Sequence, residues 1–398
     1  MDTFQSSALT TKRHDWIAAM CVATIAAMIL LIYSSATYFQ QDRGINPLKP
    51  AFLYFAVYGV TGITIFVRFV NGQRFAISPM IVFLVLFAIL TAGVHSNTTH
   101  DAIKDRMFVY RVNFCVVTAC FYIMYANISN FTLVILSFRA VVIFTCVLNV
   151  LEVVMPHIFP FKMSHQWGRA AGLYGDANQC AQFIVSALPF MCLRSSSLSR
   201  LLYCLIATVG VMFTFSREGF LMLVLSIGLV YFCQPGVKFR LTPLQIFIAG
   251  AGVIVVLALA PFTRDLIDAG VNALKPFLNA DTLARLQGTT NDSSSQERLF
   301  VAQLGLEEFM KAPIFGQGPG ATHSWSYQIS VHNMFILMLV EHGIVGLIML
   351  GIFIWSLFQA KWPYGIWAGA LFLITTPFTH TYFDLPYYGL IFSTCWAA

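Results

Sequence analysis

Long apolar stretches divided by short polar breaks run through almost the whole chain. A helix needs about 20 apolar residues to cross the hydrocarbon of a bilayer. On that measure twelve candidate spans stand near residues 16–33, 51–70, 75–94, 107–125, 131–154, 176–193, 201–215, 219–234, 243–262, 332–358, 363–378 and 385–398. The seventh, eighth and last two are short for a crossing. One interruption is long: residues 263–331 hold the stretches RDLIDAGVNALKPFLNADTLARLQG and QERLFVAQLGLEEFMKAP, joined by a polar TTNDSSS hinge. Leu266, Ile267, Val271, Leu274 and Leu278 recur at helical spacing, and Leu299, Leu304, Leu306 and Phe309 do so more loosely. The pattern predicts a small helical cap on one membrane surface. The expected fold is thus an all-α polytopic membrane protein with about 12 transmembrane helices, spans 1–9 within 1–262, the long loop over 263–331 and spans 10–12 within 332–398. No internal repeat is evident.

Charge placement gives a sidedness. With the N-terminus in the cytoplasm, Lys12, Arg13, Arg68, Arg74, Arg194, Arg200, Lys238, Arg240 and Lys361 all fall at inner ends, as the positive-inside rule requires. The opposite face carries the 95–106 and 155–175 loops, the Ser216-Arg217-Glu218 turn and the 263–331 segment. Composition agrees with a membrane protein: 58% of the 398 residues are hydrophobic and 10% are charged, against about 25% charged in soluble proteins. Trp16–Tyr33 follow Lys12-Arg13, and Ser34-Ser35-Ala36 makes a weak signal-peptidase match, but the many later spans favour a retained first helix. The nine cysteines are scattered without a CxxC pair, which points to packing rather than to disulfides or zinc. A net charge of +6 with no dense basic run gives no reason to expect nucleic acid.

Four polar features share the outer face: Arg169 in GRAAGLYGDANQC, Arg217 in FSREGF, Arg298 in SSQERLF, and His332 at the mouth of the tenth span. Each has a local explanation. Arg169 could snorkel to the headgroups, Arg217-Glu218 could form an ion pair closing a turn, Arg298 could be a solvated cap residue, and His332-Asn333 could cap a helix. Together they suggest more. Guanidinium forks suit phosphate oxygens, and a histidine exchanges protons near neutral pH, a combination suited to group transfer from a phosphorylated lipid to a hydroxyl. PIFGQGPG, with Gly316, Gly318 and Gly320, lacks the Lys-Ser/Thr of a nucleotide loop and is expected to be a flexible connector. His95, His100, Asp101 and Asp105 share an outer loop without metal-motif spacing, and no Asp-x-Asp pair is present, so no metal is expected. Glu341-His342 should face the bundle interior and find hydrogen bonds there. Arg111 and Arg139 lie near or within spans, Arg139 being the more interesting of the two and a candidate for substrate binding.

GRAAGLYGDANQCAQF, the SREG turn, ERLFVAQLGLEEFMKAPIFGQGPG and HNMFILMLVEHGIVGLIML follow one another across roughly residues 165–355. In that order they resemble the bacterial O-antigen ligase and polymerase superfamily. The most specific part runs from His332-Asn333 to Glu341-x-Gly343-x2-Gly346, after the PIFGxG loop; the first five spans carry no such signature. The resemblance implies a glycosyltransferase C-like fold and an inverting transfer of glycan from undecaprenyl pyrophosphate to an outer core sugar of lipid A–core. The reaction belongs to the periplasmic face of the inner membrane and needs no cofactor, metal or nucleotide. By motif, Arg217 and Arg298 would hold the pyrophosphate and His332 would act as general base. Arg169 and Asn178 would assist donor binding, and Asn333 would support the helix mouth. Some relatives place a second histidine before the motif's histidine; here Val331 stands in that position, with His323 nine residues before His332. An O-antigen polymerase would share these motifs. A secondary transporter or lipid flippase would instead predict repeated halves and charges near the bilayer midplane.

Overall fold

The computed structural model describes residues 3–42, 44, 50–73, 78–128, 130–159, 169–232, 293–325, 330–360, 364–377 and 379–397. Their regular structure is entirely helical. The longer helices are α1 (Thr3–Met28), α3 (Pro50–Val70), α4 (Pro79–Ser96), α5 (Ala102–Tyr125), α6 (Thr132–Val154), α7 (Ala177–Cys192), α8 (Ser197–Met212), α9 (Arg217–Phe232), α10 (Ser293–Lys311), α12 (Met334–Phe358), α13 (Tyr364–Thr375) and α14 (Pro386–Ala397). Two short ones, α2 (Ala36–Asp42) and α11 (Ala321–Ser324), complete the α-helices among the described residues, beside a π turn at Ile29–Tyr33 and 3-10 turns at Pro156–Ile158 and Gly172–Tyr174. Their starts are chemically marked. Ser78, Asp101, Asp176, Ser196 and Asn333 each accept from amides of the first turn that follows, satisfying donors that a helix leaves unpaired.

Among the described residues, six stretches are long and apolar enough to cross a membrane: Trp16–Tyr33, Phe52–Val70, Pro79–Ser96, Ala102–Tyr125, Thr132–Val154 and Met334–Phe358. They coincide with the first five expected spans and the tenth. Ser197–Met212, Glu218–Tyr231 and Tyr364–Leu373 are shorter apolar helices. The expected ninth span at 243–262, and the expected amphipathic stretch up to residue 290, lie outside the described residues. Large apolar side chains stand on the outer faces of these helices, Phe55, Phe66 and Phe69 of α3 among them. In a bilayer such a surface is solvated by lipid tails, and the chain is a multi-pass membrane protein.

Two compact units divide the chain, one formed by Met1–Val142 with Glu297–Ala398 and the other by Ile143–Gln296. An aromatic core fills the first. Phe353 of α12 lies 4.8 Å from Phe83 of α4, 4.9 Å from Phe372 of α13 and 5.0 Å from Phe392 of α14, centroid to centroid. Helices in lipid associate through close packing and small residues. Accordingly, Gly389 lets α14 approach α5 where a Cβ would overlap Thr118, and Ser393 Oγ donates to the Thr118 carbonyl at 3.1 Å.

The glycine-rich loop after α10 departs from the expected flexible connector, because it is docked. Gly343 breaks α12 with φ 65° and ψ −157°, a conformation that costs glycine little. The loop supplies partners for the backbone groups released there. Ile344 N donates to the Pro313 carbonyl at 2.9 Å, while Gln317 N and Gly318 N donate to the Val340 and Glu341 carbonyls at 2.8 and 3.0 Å. Backbone groups freed inside a membrane helix need such replacement partners.

In the second unit, Gly210 brings α8 against Cys146 of α6, and Gly219 brings α9 against Ala181 of α7. Residues 170–172 run beside them: Ala170 N donates to the Phe213 carbonyl at 2.9 Å, and the Glu152 carboxylate accepts from Ala171 N and Gly172 N at 2.9 and 3.0 Å.

Candidate active site

Asn333 fixes the position of His332. Its Oδ1 accepts from Phe335 N at 2.9 Å and Ile336 N at 3.2 Å, starting α12 immediately after the histidine. Met334 N donates to the Thr376 carbonyl at 2.9 Å, which ties this helix start to the end of α13. The turn between α13 and α14 is thereby held beside His332, and it delivers His380. The two imidazoles stand edge to face, 4.8 Å apart at 78°.

A third imidazole comes from α11. Gly320, at φ 80°, begins this short helix, and His323 N donates back to its carbonyl at 2.9 Å. The His323 ring lies 5.8 Å from that of His380. Burial pushes the His380 pKa well below the usual imidazole range, and the neighbouring His332, His323, Arg111 and Arg298 push it the same way. Burial also lowers His323, with Asp384 opposing and Arg111 assisting. Both rings are therefore neutral near pH 7.

Behind the imidazoles lies an ionic network closed to solvent. Arg111 of α5 is 1% exposed, Glu341 and His342 of α12 are 0% exposed, and Asp384 is 7% exposed. The Arg111 guanidinium pairs with the Glu341 carboxylate, donates through Nε to Asp384 Oδ1 at 3.1 Å and through Nη1 to His342 Nε2 at 3.0 Å. Glu341 Oε1 also accepts from Gly320 N at 2.9 Å, at the start of α11. The network thus connects α5, α11, α12 and the turn carrying His380.

Among the residues expected from sequence, Arg298, His332 and Asn333 belong to this first unit. Arg298 is half-buried, and its charge is felt at His380. Arg139 is a half-buried residue of α6, also in the first unit. Arg169, Asn178 and Arg217 belong to the second. Arg169 does not snorkel: it is buried, donating through Nε to the Thr214 carbonyl at 2.9 Å and through Nη2 to Asn178 Oδ1 at 2.8 Å. The same Asn178 oxygen accepts from Ser216 Oγ at 2.9 Å. Arg217 is the first residue of α9, and Ser216 Oγ accepts from Gly219 N at 3.1 Å to cap that helix. Glu218 Oε1 accepts from Gln182 of α7 at 2.7 Å. Where α4 gives way to α5 in the first unit, His95 Nε2 and His100 Nδ1 converge on Asp105 Oδ1 at 3.2 and 3.1 Å, although their sequence spacing matches no metal motif.

Residues 202–351 match the family model described as O-antigen ligase. Over this stretch, well under half of the 398 residues, the chain is similar to that family. None of the curated proteins compared with the chain matches it. The ligase-family segment contains Arg217, Arg298, His332, Asn333 and Glu341; Arg111, Arg139, Arg169, Asn178 and His380 fall outside it. Members of that family are glycosyltransferase-like enzymes, ligases and polymerases, and the match supports an enzyme role for this chain in general terms. Sequence reasoning passed over His380 and ranked Arg111 below Arg139. The available signal was the pair of ionisable residues in THTYFDLP, set between two apolar helices, since ionisable groups at membrane depth are functional candidates by default.

Proposed function

We propose that the protein is an O-antigen ligase of the bacterial inner membrane, with its N-terminus in the cytoplasm and its active site on the periplasmic face. It transfers a glycan from undecaprenyl pyrophosphate to a sugar hydroxyl of lipid A–core. The observation that carries this reading is the placement of His332 at the capped start of α12, with Arg298 in electrostatic range of the same imidazole cluster, inside the ligase-family segment.

In this mechanism the acceptor oxygen attacks the anomeric carbon from the face opposite the pyrophosphate, and configuration inverts. The bond from that carbon to the pyrophosphate oxygen breaks, its electron pair staying on undecaprenyl pyrophosphate. His332 takes the hydroxyl proton. Arg298 and Arg217 have the role of neutralising the leaving pyrophosphate, and fixed charges of this kind contribute about 3 kcal/mol each in a water-poor site. Arg169 and Asn178 support donor binding through the bonded turn that precedes Arg217. Asn333 sets the helix mouth, and Arg139 remains a candidate donor contact. Holding two amphiphiles in one membrane plane supplies proximity. The donor is already activated, so the scheme calls for neither nucleotide nor cofactor.

The test uses purified protein with undecaprenyl-pyrophosphate-linked glycan and lipid A–core, without nucleotide or added metal. Glycan appearing on lipid A–core, and lost in His332→Ala and Arg298→Ala, supports the ligase. Longer glycan on the undecaprenyl carrier instead identifies a polymerase, which the family segment equally accommodates. Neither product from folded protein rejects both.

A further inference from the structure

We infer that His380 is the positioning partner of His332: its ring, packed edge to face, holds the His332 imidazole in its working orientation. The inference rests on the reading of His332 as the base. It concerns a residue that lies beyond the ligase-family segment.

Three observations carry it. The rings are 4.8 Å apart at 78°, within the range where aromatic pairs interact favourably and fix each other's planes. The turn bearing His380 is itself anchored at both ends. Thr379 N donates to the Thr375 carbonyl at 3.1 Å, Asp384 N donates to the Thr381 carbonyl at 3.1 Å, and the Asp384 carboxylate is bound by buried Arg111 at 3.1 Å. Finally, His380 Nδ1 is buried and meets no hydrogen-bond partner among the described residues. That nitrogen therefore does not hold the ring by a hydrogen bond, and the ring meets His332 through its edge-to-face contact.

Neutrality is what makes the pairing useful. The charged and titratable groups that act on His380 are His332, His323, Arg111 and Arg298; Asp384, which pairs with Arg111, acts on His323. With cations on several sides, a second proton in the imidazole pair is strongly disfavoured. When His332 accepts the hydroxyl proton it becomes an imidazolium beside an uncharged aromatic ring rather than beside a like charge. His380 neither gains nor loses a proton in the cycle. The proton remains on His332 through bond exchange and passes to solvent as the product leaves.

The experiment compares His380→Ala, His380→Asn and His380→Phe with wild type and His332→Ala, following glycan transfer to whichever acceptor wild type uses. Folding is checked by size-exclusion profile. His380→Ala and His380→Asn should lower kcat by about tenfold to a hundredfold, the scale expected of a misplaced catalytic group, with donor KM within about twofold. His380→Phe, which keeps an uncharged ring, should recover to within about threefold of wild type. The double variant His332→Ala/His380→Ala should be no slower than His332→Ala alone, because the two residues act as a unit. Wild-type kcat in both truncations overturns the inference, as does a change confined to KM, a Phe variant as slow as Ala, or an additive double variant. If Ala fails to fold, Asn and Phe decide. Full activity in His332→Ala is a separate outcome: it removes the base reading itself and is recognised without any His380 variant.

Discussion

Arg111 Nε meets Asp384 Oδ1 at 3.1 Å across 273 positions of the chain, both side chains almost wholly buried. Glu341 shares the same guanidinium, so a single cation compensates two carboxylates in a region closed to solvent. Such clusters are weak evidence of net stability but costly to break from one side, typically by about 3–5 kcal/mol. Arg111→Leu should therefore destabilise the protein markedly, seen as a large fall in the thermal midpoint in detergent. Glycan transfer should fall even below that midpoint, because Asp384 anchors the turn that presents His380. An Arg111→Leu protein with wild-type midpoint and activity would deny the network both roles.

The docking of the glycine-rich loop yields a second prediction. Gly343 and Gly316 both have positive φ, and a Cβ on either would overlap the other segment's backbone, Ile314 in one case and Glu341 in the other. Gly343→Ala and Gly316→Ala should each loosen this contact and expose residues 313–318 to added protease at temperatures where wild type resists. Strain at positive φ contributes about 1 kcal/mol or more, and the overlap adds to it. Gly351→Ala, where a Cβ would meet nothing within 4 Å, serves as the control and should behave as wild type.

How far these relationships could be read from the chain depended on whether they were local. Apolar runs are local, so six spans were legible with boundaries close to those observed. The cap at Asn333 is local as well, and it was expected and found. His332 drew notice because it sits in a recognisable run of residues, and its role stays a proposal. His380 was not, because its meaning comes from a contact made by a turn 48 positions away, and no spacing encodes that. Arg111 and Arg139 looked alike in sequence, both cations near spans; only the fold gives Arg111 two buried carboxylates. The glycine loop was misjudged for a related reason, since glycines permit flexibility and tight backbone contact equally well.

The lowered pKa values of His323 and His380 make a prediction for stability against pH. An unfolded histidine binds its proton near pH 6.5, whereas these two resist protonation in the fold. Below about pH 6.5 the unfolded state therefore takes up protons that the folded state refuses, and stability falls as pH drops from there towards the folded values. Above that pH the contribution is complete. Glu308, lowered mainly by its bond to Lys311, acts in the same direction but below about pH 4.5, outside that window. Thermal midpoints should decline between about pH 6.5 and 5, and His380→Phe should decline less. Equal slopes for the two proteins would show that His380 is not held neutral.

Arg169 provides the last prediction. Its guanidinium spans two acceptors, the Thr214 carbonyl and Asn178 Oδ1, and Asn178 in turn accepts from Ser216, the cap of the helix that Arg217 begins. Lysine retains the charge but offers a single ammonium in place of a planar fork. Arg169→Lys should therefore leave the net charge unchanged and still reduce glycan transfer by about tenfold, the scale of one buried charged hydrogen bond at roughly 1.5 kcal/mol. Asn178→Ala should cause a similar loss, and combining the two should add little, because both act through the same bonded turn. If Arg169 instead acts on the donor simply as a positive charge, Arg169→Lys will retain near-normal transfer while Arg169→Gln loses it. The Lys-to-Gln contrast measured at fixed donor concentration thus separates a residue that shapes the Arg217 turn from one that binds phosphate directly.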